Sequence, residues 1–207
     1  MKPTIQEIVI AKIIVKDLID HNFFDAIIDV WHEDSFADWR ANNREYLKER
    51  NITLFTGATK VCISSKALPN WVIKVSFTYP NEEETSYCDI EATNYQDAIK
   101  KGLDEFFAAT YHLIDEKPSE RYRVNSVGFY IQERAEPNEE KTSATCCGYI
   151  GHDDGDDWDR LETFFHDSGK LDELFSFIKD WDINDLHSGN FGYTKEGKVK
   201  VIDFSGY

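Results

Sequence analysis

Near the C-terminal end of the chain, Asp185, Asn190 and Asp203 stand in a stretch whose residue types and spacing could do chemistry. The first opens D-L-H-S-G-N at 185–190, and the last sits in V-I-D-F-S-G at 201–206. Between them FGYT and KVKVI are short β-prone runs on either side of Lys195-Glu196-Gly197, a hairpin signal. Further upstream, Lys74 lies in the strand-like run WVIKVSF, and Glu91 follows in a helical run. Carboxylates, an amide oxygen, a lysine and a divalent cation suffice for phosphoryl transfer. That reaction needs the charge on the moving group neutralised and the acceptor hydroxyl aligned. Either acidic fragment alone would be a common chance match; both in this order and at this spacing are not.

Those residues need elements to position them. From Asn51 the chain reads as strands: ITLFTG, TKVCISS and WVIKVSF, separated by Gly57-Ala58 and by Ala67-Leu68-Pro69-Asn70. Ser86 to Gly102 is a helical run with a glycine at its end, and it carries Glu91. Asp89 and Asp97 are alternatives to Glu91, but Glu91, followed by Ala92 and Tyr95, best suits an inward turn. LDEFFA (103–108) extends the helical region. TYHLI (110–114) and VGFYIQERA (127–135) then complete a predicted five-stranded sheet. Two helical patterns, 157–166 and 170–181, lead into the acidic stretch. At the other end, residues 4–20 repeat apolar side chains with helical spacing, and 23–31 and 35–49 continue in that style, with Ser35 a cap for the last. This N-terminal third holds no constellation assignable to chemistry and is expected to pack as a helical extension.

Composition sets further bounds. A chain of 207 residues is long enough for one sizeable core or two small lobes. A net charge of −16 argues against sequence-independent binding to nucleic acid or to anionic membranes, both of which need a basic surface. The N-terminal apolar run is interrupted by Lys12 and is too short to span a bilayer, so neither a signal peptide nor a membrane anchor is expected. Cys62, Cys88, Cys146 and Cys147 lack C-x-x-C spacing and read as reduced thiols of a cytoplasmic protein. Residues 136–157 are acidic and rich in turn formers, an expected exposed loop. His152 with Asp153, Asp154, Asp156 and Asp157 does not meet the calcium-loop pattern, and a solvated turn is the favoured reading.

With Lys74, Glu91, Asp185, Asn190 and Asp203 in this order, residues 51–207 resemble a protein kinase. PNWVIKVSF and the DLHSGN loop look most like the short kinase-like proteins of phages and bacteria, including the early protein kinases of T-odd coliphages. The resemblance implies an α+β, protein-kinase-like fold. Residues 1–50 would be the helical extension, 51–135 a small lobe with a five-stranded antiparallel sheet and an αC-type helix, and 136–207 a minimal, truncated helical lobe. It implies ATP and Mg²⁺ as cofactors. Lys74 would set the phosphates and Glu91 would set Lys74; Asp185 would orient or deprotonate the acceptor hydroxyl; Asn190 and Asp203 would hold Mg²⁺. The backbone from Glu133 to Ala135 would bind adenine, with Gln132 at the back of that pocket. Amides near Gly57 would approach phosphate.

The departures are equally specific. Gly57 is the sole glycine in a turn where kinases carry G-x-G-x-x-G, and Ile183 and Asn184 replace the histidine and arginine of H-R-D. His187, inside the loop, is more often a packing or solvated residue than a phosphate contact. The sequence ends four residues after Asp203, without an A-P-E segment or a large helical lobe. Two functions are therefore expected to compete. One is a minimal Ser/Thr protein kinase in the cytoplasm, or the host cytoplasm if phage-encoded, acting on a protein substrate. The other is a pseudokinase that binds nucleotide and a protein partner without turnover.

Overall fold

A computed structural model of the chain describes residues 1–28, 35–57, 59–77, 86–122, 124–137, 157–183, 186 and 188–205. The chain divides into two compact units, Met1–Ala92 with Thr110–Glu133, and Thr93–Ala109 with Arg134–Tyr207. Among the described residues, no helix is long and apolar enough to cross a membrane.

The first unit opens with α1 (Ile5–Asp20). Thr4 and Glu7 close a reciprocal capping box at its start. The Thr4 hydroxyl accepts from the Glu7 amide at 3.2 Å, and the Glu7 carboxylate accepts from the Thr4 amide at 2.8 Å. Ala11, Ile14, Val15 and Leu18 form its buried stripe, and α1 packs on two strands of the sheet, Thr110–Glu116 and Val127–Glu133. The short α2 (Phe23–Ile28) buries nearly every side chain, and Phe24 meets Phe129 of the sheet edge to face. The sequence pattern predicts one helix over 35–49, but two are present, α3 (Ser35–Asn42) and α4 (Arg44–Glu49). Asn43 separates them. Its side-chain Nδ2 donates to the Trp39 carbonyl at 2.8 Å, the same carbonyl that accepts its backbone N–H at 3.0 Å. A polar side chain competing for helical carbonyls is a standard cause of such a break.

The sheet of this unit contains β1 (Ile52–Thr56), β2 (Lys60–Ser65), β3 (Trp71–Ser76), β4 (Thr110–Glu116) and β5 (Val127–Glu133). Their order is β1-β2-β3-β5-β4, and every neighbouring pair is antiparallel. The fold is thus α+β with the five expected strands. β1 alternates, with Ile52 and Leu54 inward, as a strand with one wet face should. β3, the middle strand, buries all six residues. A polar side chain there cannot escape to water and must find a partner within the protein.

The second unit contains the latter part of α5 (Tyr87–Lys101), a three-stranded antiparallel sheet, and the helices α6 (Asp157–Phe165) and α7 (Leu171–Asp180). Gly102 ends α5 with φ of +70°, a left-handed conformation that glycine adopts without Cβ strain. The sheet is β6 (Glu136–Pro137), β7 (Phe191–Tyr193) and β8 (Val199–Val201). The expected loop from Glu136 therefore begins as a strand: Glu136 pairs with Tyr193 and Pro137 with Gly192. Proline has no N–H to donate, and β6 is an edge strand, where that loss is tolerated. The core centres on Phe107, whose ring lies 5.5 Å from Phe177 and 5.1 Å from Phe204. Its neighbour Ala108 donates its N–H to the Val201 carbonyl at 2.9 Å, tying this segment to β8.

Candidate functional site

In the first unit the register of β2 and β3 sets Cys62 opposite Lys74, and that of β3 and β5 sets Tyr130 opposite Lys74. Lys74 is therefore central in the sheet, 8% exposed, while Glu91 on α5 is fully buried. The Lys74 ammonium lies 3.2 Å and 3.0 Å from the two oxygens of the Glu91 carboxylate. The expected pairing of this lysine with this glutamate is present as a buried, bidentate contact. Asp89, an alternative partner by sequence, is instead taken by the Tyr130 hydroxyl. Burial first, and then the Asp89 carboxylate, push that phenol above its ordinary range.

Two features hold the helix start so that Glu91 faces the sheet. The Ser76 hydroxyl, at the end of β3, accepts the Cys88 N–H at 3.1 Å, and Tyr130 grips Asp89 from β5. Cys88 itself is a free, buried thiol pushed up to about 12, by burial first and by the Glu91 carboxylate second. It stays protonated and packs as a small apolar group.

Glu91 has a second cation that sequence reasoning missed. Lys60, at the start of β2, lies with its Nζ 2.8 Å from Glu91 Oε1, and it is as buried as Lys74. Only the register reveals it. Lys60 stands two residues before Cys62, so strand alternation puts it on the same face as Lys74, diagonally across the ladder. Gln132 completes the cluster. Its Nε2 donates to Glu91 Oε2 at 3.3 Å and to Thr110 Oγ1 at 2.9 Å, linking β5, β4 and the glutamate.

Gly57 sits in the β1–β2 turn, where its N–H donates to the Lys60 carbonyl at 2.9 Å. A Cβ added there would meet that carbonyl oxygen at 3.8 Å, ordinary contact distance, so packing does not demand a glycine. Glu133 closes β5 opposite Trp71 and is buried.

In the second unit, Asn190 ends a short 3-10 turn (Ser188–Asn190) and is 6% exposed. Its carbonyl accepts the Ile202 N–H at 2.7 Å, just beyond the last β7–β8 pair, Phe191 with Val201. The predicted hairpin is present. Gly197 has φ of +80° at its turn, and its open end sets Asn190 beside the residue preceding Asp203. Asp203 is half-buried and accepts from the Ser205 hydroxyl at 3.3 Å. The following carbonyl, of Phe204, is held by the buried Asn94 side chain at 2.9 Å. Ala135 lies against β7: a Cβ on Gly192 would come within 2.9 Å of the Ala135 carbonyl oxygen, so that close approach needs glycine.

Asp185, Asn184 and His187 lie outside the described residues, as does the His152 acidic run from 152 to 156. Ile183 and Leu186 are both buried. Among the described residues, no group of three or more His, Cys, Asp or Glu side chains converges in the manner of a metal cage. Magnesium does not require one, because it usually keeps several waters and takes one or two protein oxygens beside phosphate. The carboxylate of Asp203 and the amide oxygen of Asn190 suit such a hard cation chemically.

No family model matches the chain, and no curated protein does. Among solved structures it is similar to an apo pseudokinase, with a TM-score of 0.39 and 12% identity over 76% of this chain and 57% of that one. It is also similar to a drought responsive inactive kinase in a co-crystal, with a TM-score of 0.38 and 13% identity over 74% of this chain and 56% of that one. The chain thus spans a little over half the length of each. Likeness at this level assigns no family, and the functional reading rests on the chain's own residues.

Proposed function

We propose that the chain is an ATP- and Mg²⁺-dependent phosphotransferase of protein-kinase type, which passes the γ-phosphoryl group to a protein hydroxyl. The observation that carries this reading is the buried Lys74–Glu91 ion pair in the middle of a five-stranded antiparallel sheet. A buried charge pair is seldom the cheapest way to stabilise a core, since an apolar pair of similar volume often does as well or better. Its presence at a central strand fits a lysine held in place for a ligand.

In this reading Glu91 fixes the Lys74 side chain, and Lys74 donates to phosphate oxygens. Asn190 and Asp203 would hold Mg²⁺, which when bound neutralises charge on the phosphates. Asp185 would accept or orient the acceptor hydroxyl proton. The backbone between Glu133 and Ala135 would take the adenine, and Gln132, tied to Glu91 and Thr110, would limit the depth of that pocket. The expected setting is the cytoplasm and the expected acceptor a protein.

Melting with and without Mg-ATP tests the nucleotide part. Ligand at about 100 times Kd adds about 2.7 kcal/mol, a rise of roughly 5–10 °C for a chain of this size. The rise should vanish for Lys74→Met. No rise in the wild type at millimolar Mg-ATP would contradict the reading.

A further inference from the structure

The β1–β2 turn has one glycine, and its amide is already committed to the Lys60 carbonyl. A phosphate reaching this end of the sheet therefore cannot use that amide without breaking the hairpin contact. Immediately after the turn, however, comes Lys60, buried and 2.8 Å from Glu91 Oε1. Lys74 holds the same oxygen at 3.2 Å. Two ammonium groups from adjacent strands thus meet on one carboxylate, and the Tyr87 ring lies 5.8 Å from the Lys60 nitrogen. Burying a second cation carries a large desolvation cost. Packing alone would be served by an apolar residue opposite Ser76, where Lys60 pairs. Each ammonium has three donors in rotatable geometry, so a pair converging on one carboxylate can also share an anion with several oxygens.

From this geometry we infer that Lys60 is a second phosphate-binding lysine, forming with Lys74 a paired-ammonium cradle for the polyphosphate of a nucleoside di- or triphosphate. It supplies side-chain charge beside a turn whose Gly57 amide is already committed to the Lys60 carbonyl. Glu91 sets both lysines, which is why one carboxylate sits between them. The inference deepens the proposed function and rests on it for the nucleotide. The anion chemistry itself is that of any polyphosphate.

Calorimetric titration of the full chain separates these layers, with Mg-ATP, Mg-ADP, adenosine and inorganic tripolyphosphate as probes. Lys60→Met should weaken Mg-ATP and Mg-ADP roughly 10- to 100-fold, as expected for loss of a hydrogen bond to a charged group. Adenosine affinity should stay at the wild-type value, and Lys60→Arg should retain most of the ATP affinity. A merely structural lysine would weaken adenosine and ATP alike or change neither. Wild-type ATP affinity in Lys60→Met therefore overturns the inference. If that variant does not fold, Lys60→Gln, which can still hydrogen-bond Glu91, takes its place with the same criterion. If the wild type binds neither ATP nor adenosine, the nucleotide reading fails by itself. Tripolyphosphate binding that is lost in the Lys60 variant would then still support the lysine cradle, and no tripolyphosphate binding to the wild type would overturn it.

Discussion

Replacing Glu91 by alanine should be among the most damaging single changes in the first unit. The carboxylate is fully buried and receives Lys60 at 2.8 Å, Lys74 at 3.0 Å and 3.2 Å, and Gln132 at 3.3 Å. Removing it takes the shared carboxylate from two barely exposed ammonium groups. Breaking a buried pair by deleting one partner costs about 3–5 kcal/mol. At about 2–4 °C per kcal/mol for a chain of this length, melting of the ligand-free protein should fall by roughly 6–20 °C. Glu91→Gln keeps the shape and one acceptor and should lose clearly less. The triple variant Lys60→Met, Lys74→Met, Glu91→Leu removes the charges together and should recover most of the stability, because the penalty lies in uncompensated charge rather than lost volume. Melting followed by circular dichroism, with urea midpoints beside it, reads all three. A Glu91→Ala protein melting within about 2 °C of wild type would refute the claim that this carboxylate holds the lysines.

Two further predictions concern other elements. Asn94→Ala removes the buried donor to the Phe204 carbonyl and should cost about 1–3 kcal/mol, read as a lower urea midpoint. Because Phe204 follows Asp203, Mg-ATP stabilisation should fall in the same variant, and an unchanged melting rise would contradict that link. Asp17 gives a pH prediction: the hydrogen bond from Arg50, chiefly, and that from Tyr46 hold its carboxyl below the usual aspartate range. A carboxyl lowered on folding stabilises at pH values above its ordinary pKa and loses that contribution as pH falls towards the folded value. Urea midpoints between about pH 6 and about pH 3 should therefore fall less steeply in Asp17→Asn than in wild type; identical slopes would contradict the assignment.

Much of this was legible in the residues themselves, because local pattern and tertiary structure agree there. The alternating and β-branched runs bounded by Gly57 and by Pro69-Asn70 became β1 to β3, and Lys195-Glu196-Gly197 became the turn of a hairpin. Glu91 could be singled out because it is followed by Ala92 and Tyr95, which suit an inward turn, and the resemblance pointed to Lys74 as its partner. Lys60 was not legible, since its role depends on strand register, which links residues no local pattern connects. The same holds for β6: Glu136 and Pro137 read as loop because their partners, Tyr193 and Gly192, lie more than fifty residues on. Asn43 reads as an ordinary residue of a helical run until its side chain is seen on the Trp39 carbonyl. The commitment of the Gly57 amide was hidden for the same reason, being a property of the closed hairpin.

Transfer of labelled γ-phosphate from Mg-ATP is the decisive assay for a phosphotransferase. The purified chain would be assayed alone and with a cell lysate, beside Asp185→Asn. Label should appear on protein with the wild type and not with the variant, and Mg-ATP should stabilise the two nearly equally. Stabilisation by Mg-ATP without any transfer would contradict the enzyme reading and leave a nucleotide-binding interaction module. Transfer that survives Asp185→Asn would remove that aspartate from the reaction.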